Sequence, residues 1–157
     1  MPSFEQTADK INSKKTEEVF VNRQDAMRGR LRTTSMTGED LIISLPRGKA
    51  ICDGDVFGPS EKGFYYKIRI ESEPVIKVTL DEVQSVNSTE DAIRLGYNLG
   101  NRHLEVLIED NAAFVPVTLG EAKIRKMLES MKLPIKFKTV KKVISASSSG
   151  YHPGEEE

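Results

Sequence analysis

Histidine and cysteine are the scarcest reactive side chains of this 157-residue chain, which holds two His, His103 and His152, and one Cys, Cys52. Imidazole can act as a general base, a proton carrier or a metal ligand. A hydrolase triad needs a histidine base beside its nucleophile, and only His103 lies outside the terminal segment. It ends the run Gly96-Tyr97-Asn98-Leu99-Gly100-Asn101-Arg102-His103. The residue types alone leave three roles open for it: a surface histidine, a helix cap or a metal ligand. One imidazole cannot hold a divalent ion firmly. A symmetric dimer can, because a twofold axis sets His103 opposite its own image and supplies two nitrogen ligands, to which His152 can add a third and a fourth.

The other chemical candidates are poorer. Cys52 precedes Asp53-Gly54-Asp55, an anionic neighbourhood that is a poor setting for a reactive thiolate, and Asp-Gly-Asp between strands reads as a turn before it reads as a cation site. A single cysteine excludes an internal disulfide, a CxxC pair and a Cys-rich zinc site. No GxxxxGK[ST], GxGxxG or HExxH motif occurs, so the chain is not read as an enzyme. Arg28, Arg30 and Arg32 alternate on an expected strand, and Lys136, Lys138, Lys141 and Lys142 crowd the last one. A solvated sheet edge accounts for both sets, with docking onto acidic partner surfaces as the other reading.

Composition narrows the partners. Lys and Arg total 23 against 24 Asp and Glu, a net charge of -1, so no large field is available to hold a polyanion, and nucleic acid is not an expected partner. Mean hydropathy is -0.41 and the apolar runs are too short for a bilayer span. The opening MPSFEQTADK has neither a signal core nor a transit pattern, which makes a cytoplasmic location the expectation.

The elements that must position these residues change character near Pro74. Before it, short β segments are expected over 18–21, 29–33, 40–45, 56–57 and 64–70, separated by Thr37-Gly38, Pro46-Arg47-Gly48, Asp53-Gly54-Asp55 and Gly58-Pro59. Tyr66, Ile68 and Ile70 alternate with Lys67, Arg69 and Glu71, the period of a sheet with one buried face. After Pro74 the order becomes strand 75–80, a helix opened by a Ser88/Asp91 capping box, strands 104–108 and 114–117, a helix opened by a Thr118/Glu121 box, and strand 135–143. A βαββαβ order is the ferredoxin-like arrangement. An RNA-recognition domain shares that order, but the RNP1 pattern with its stacking aromatics is missing from 104–108 and 114–117. The fold class is therefore α+β: a small all-β domain over 1–73, a ferredoxin-like domain over 74–144, and, over 145–157, a tail too poor in apolar residues to order itself.

Gly100-Asn101-Arg102-His103, preceded by Leu99 and placed after the first helix of a βαββαβ half, resembles the hallmark of the UreE family of urease accessory nickel metallochaperones. Arg30-Leu31-Arg32-Thr33, Leu45-Pro46-Arg47-Gly48 and Asp53-Gly54-Asp55-Val56 are similar to that family's N-terminal domain. The resemblance implies a homodimer joined through the ferredoxin-like domains, with His103 of both chains binding Ni2+ and with Zn2+ or Cu2+ as competitors. It implies delivery of Ni2+ to apo-urease through the accessory GTPase UreG, and an N-terminal domain given to protein contacts. His152 sits where tail ligands occur in relatives with sparse tails. Many members have a histidine-rich tail, whereas this one carries His152 and then Glu155, Glu156 and Glu157, so storage capacity is expected to be low. The HxH pair of some members is missing from Asp110-Asn111-Ala112-Ala113-Phe114. The reading from another class is a peptide- or protein-binding adaptor in which His103 is structural.

Overall fold

The structure, a computed structural model, describes residues 15–154 and the backbone of a short strand, β1 (Ser3–Phe4). Two compact units divide the chain, the changeover falling between Ser72 and Glu73, with Val143–Ser147 returning to the first unit and the residues from Ser148 to the second.

The first unit holds two three-stranded sheets, ordered β1-β4-β3 and β2-β6-β5. Their strands are β2 (Thr16–Val21), β3 (Arg30–Thr34), β4 (Asp40–Ser44), β5 (Val56–Phe57) and β6 (Tyr65–Ile70). The expected alternation on β6 is present: Tyr66, Ile68 and Ile70 are buried with Val19, Val21, Leu41 and Ile43, while Lys67 and Arg69 are only half-buried. This unit is β-rich, not wholly β as expected. A helix, α1 (Arg23–Arg28), follows β2 because the Asn22 side chain accepts from the Asp25 amide at 2.8 Å, and Gly29 then stops it at φ 69°. A six-residue helix is too short to print a helical period on the sequence. Arg28 therefore ends a helix and pairs with Asp25 at 3.5 Å, leaving Arg30 and Arg32 as the exposed arginines of β3.

The second unit runs β7 (Glu73–Leu80), α2 (Ser88–Asn101), β8 (Val106–Glu109), β9 (Ala112–Pro116), α3 (Glu121–Ser130), β10 (Ile135–Lys142), the βαββαβ order. Its sheet is antiparallel, ordered β10-β7-β9-β8 with a further strand, β11 (Tyr151–His152), beside β8. Leu95 and Leu99 of α2 and Ile124 and Leu128 of α3 are buried on Ile76, Val78, Val106, Ala113 and Val115 of the sheet, each large side chain contributing roughly 1.5–3 kcal/mol. Pro74, expected at a hinge, lies inside β7 opposite Lys141.

Both expected capping boxes are displaced. Asn87, not Ser88, caps α2, its side chain accepting from the Glu90 amide at 3.1 Å, and α3 begins after Gly120 with no side-chain cap. The larger departure is the tail. Ile144 and Ser145 are buried, the Ser145 hydroxyl accepts from the Asp53 amide at 2.9 Å, and Tyr151–His152 pair with Leu107 and Val106. Order here comes from backbone pairing, which composition does not register. Glu155, Glu156 and Glu157 lie outside the described residues.

Candidate metal centre

His103 owes its place to the way α2 ends. The amide of His103 donates to the Gly100 carbonyl at 3.0 Å and that of Leu104 to the Leu99 carbonyl at 3.4 Å, the paired bonds of a Schellman turn, which requires the residue after the cap to be left-handed. His103 has φ 55°. Glycine is the usual occupant there, and a side chain at that φ costs roughly 1–2 kcal/mol. The turn is held by its neighbours: Leu99 and Leu104 are buried together, while the Arg102 guanidinium donates to Asn98 Oδ1 at 3.2 Å and to the Ser130 hydroxyl at 3.1 Å, tying α2 to α3. His103 itself is exposed.

His152 reaches the same place from the sheet. Its strand partner is Val106, and Val106 packs under α2, so the register puts His152 on the helix-bearing face of the sheet. A cleft of about 310 Å³ is lined by Gly100, His103, Leu104, Val106, His152 and Gly154, among others. The two sequence-predicted ligands thus share one open, largely apolar cleft. Among the described residues no set of three or more His, Cys, Asp or Glu side chains is grouped to hold a metal. Two imidazoles of one chain fill only part of a divalent ion's coordination sphere, which leaves room for ligands from a second chain.

Residues with no chemistry of their own complete the arrangement, and these the sequence did not announce. Gly150 passes so near β8 that a β-carbon there would lie 1.7 Å from the Ile108 carbonyl oxygen, and one on Gly154 would lie 2.8 Å from the His103 oxygen. The Tyr151 hydroxyl donates to the Glu105 carboxylate at 2.5 Å. The signal available was the bracketing of Tyr151-His152 by Gly150 and Gly154, which marks close backbone approach as readily as disorder. Cys52 is not among the residues that line the cleft: it belongs to the first unit, its amide donates to Asp55 Oδ2 at 2.8 Å, and Asp53 Oδ1 accepts from the Ile70 amide at 2.8 Å. The two aspartates serve the turn.

Residues 4–64 match the family model of the UreE urease accessory protein N-terminal domain, and residues 73–156 match that of its C-terminal domain. The chain belongs to the UreE urease accessory protein family. Among its relatives, the urease accessory protein UreE of Prochlorococcus marinus (strain MIT 9312) is 34% identical over 97 residues, 62% of this chain and 59% of that one. The urease accessory protein UreE of Yersinia enterocolitica is 27% identical over 136 residues, 82% of this chain and 59% of its own length. The chain therefore spans about 59% of the relatives it matches. No helix of the described residues is long and apolar enough to cross a membrane.

Proposed function

We propose that this protein is a nickel metallochaperone: a cytoplasmic homodimer, not a catalyst, that binds Ni2+ through His103 of both chains with His152 as a further ligand, and delivers it to apo-urease through UreG. The observation that carries the reading is the meeting of His103 and His152, from a helix end and a terminal strand, in one cleft of a urease accessory protein. Support for the dimer comes from α2, where Ile93, Tyr97 and Gly100 follow at i, i+4 and i+7 and are all exposed, Ile93 by 66% and Tyr97 by 73%. An exposed apolar stripe marks a contact surface, and this one leads to His103, so a twofold axis along it brings the two imidazoles together. Residues 1–73 then serve protein contacts, and 74–144 dimerisation and metal binding.

The adaptor reading, in which His103 only ends the helix, leaves the second imidazole of the cleft without a role. The backbone does not separate the two readings, since Lys132 follows the cap of α3 at φ 52° as His103 follows that of α2 at φ 55°. Imidazole also binds Zn2+ comparably and Cu2+ more tightly, so both compete for the site. Calorimetric titration of the purified protein with Ni2+ tests the proposal. One tight ion per two chains is expected, lost in His103→Ala with circular dichroism unchanged. A monomer that still binds one ion per chain after His103→Ala would overturn it.

A further inference from the structure

The segment that carries His152 is held at both ends and in the middle. At one end the Ile108 amide donates to the Gly150 carbonyl at 2.8 Å, a bond possible only because Gly150 has no side chain to meet Ile108. In the middle Tyr151 and His152 pair with Leu107 and Val106, and the Tyr151 hydroxyl reaches Glu105. At the other end Gly154, at φ 79°, lies against the backbone of His103 itself. Successive residues of a strand point to opposite faces. Once Tyr151 is fastened to Glu105 on one face, His152 has to project on the other, the face of the His103 cleft.

We propose that residues 150–154 are a clasp, with Gly150, Tyr151 and Gly154 as positioning residues that hold the His152 imidazole at the His103 cleft before any metal arrives. This rests on the nickel-binding reading and adds to it the source of the tail's contribution. A free tail would have to be ordered on binding, at an entropic cost for each residue fixed. A clasped one has already been ordered by its strand pairing, so the imidazole adds nearly its full ligand strength to the site.

The test uses the full chain and Ni2+ alone. Amide hydrogen exchange without metal reads the clasp directly: the Ile108 amide should be protected in the native protein and lose at least tenfold in protection in Gly150→Ala, whose β-carbon the Ile108 carbonyl cannot accept. Nickel affinity reads the consequence. Gly150→Ala should weaken binding to about the level of His152→Ala, Tyr151→Phe should weaken it by several-fold, and Gly150→Ala/His152→Ala should be no weaker than His152→Ala alone. A substitution that merely damaged the domain would add to the loss from His152→Ala. Gly150→Ala with native affinity beside a weakened His152→Ala would overturn the clasp and leave the nickel site standing. Native affinity in His152→Ala would overturn the clasp through its ligand. Native affinity in His103→Ala would instead remove the proposed function on which both rest.

Discussion

The amide of Leu104 donates to the carbonyl of Leu99 at 3.4 Å while both side chains are buried in the same core. That pairing holds the turn in which His103 is left-handed, so folding stability and the proposed ligand role are set against each other at one residue. His103→Gly should relieve roughly 1–2 kcal/mol of backbone cost, less about 0.4–1 kcal/mol for the freedom glycine gives the unfolded chain. The variant should be more stable by a few tenths to about 1 kcal/mol in chemical denaturation, and should bind nickel no better than His103→Ala.

Arg102 braces the same turn from α3. Arg102→Ala removes the bonds to Asn98 and Ser130 and should cost about 1 kcal/mol, with nickel affinity reduced by several-fold because His103 samples more positions. Ser130→Ala should reproduce part of both effects in the same denaturation and titration assays.

Asn87 and Ser88 distinguish the observed start of α2 from the expected one. Asn87→Ala should destabilise by about 1 kcal/mol, the worth of a side-chain cap, and Ser88→Ala should change stability by less than half of that. Urea denaturation of the two variants makes the comparison.

The strand and helix order of the second unit was legible because Ala92, Leu95 and Leu99, and then Ile124, Leu128 and their neighbours, repeat at helical spacing, and GNRH stood out as a constellation. What could not be read was order that side-chain pattern does not encode. Helix α1 depends on one Asn22 cap and one Gly29 stop. The Asn87 cap precedes the Ser88/Asp91 pair that imitates a capping box. The clasp depends on a bare backbone at Gly150 and on a strand, β8, far away in sequence. His103 and His152 could be named together as candidate ligands of one metal; that they line one cleft within a single chain follows from the Val106 register, which is a tertiary fact.

In the first unit Tyr66 is fully buried, and its hydroxyl donates to the Glu39 carboxylate. Burial, reinforced by the bond to Glu39, pushes its pKa up from 10.0 to about 12. Between those values the unfolded chain releases a proton that the folded one keeps, so stability is full below about pH 10 and falls as the pH rises toward 12. Denaturation across that range should show the decline, and Tyr66→Phe should flatten it. An absorbance titration should find an ionisation near 12 in the native protein that is lost in Tyr66→Phe.

β11 also has a bearing on solubility. The outer strands of the β10-β7-β9-β8 portion of the sheet are unlike: β10 carries the exposed Lys136 and Lys138, charges that discourage another chain from pairing there. β8 has no such guard along Val106, Leu107 and Ile108, and Ile108 is already 47% exposed. Its hydrogen-bonding groups are occupied by residues 150–152 instead. Cutting the chain after Ser148 would remove an imidazole and, with it, the strand that keeps β8 from recruiting a neighbour. The shortened protein should form concentration-dependent aggregates through that bare border, visible in light scattering, while His152→Ala stays dispersed.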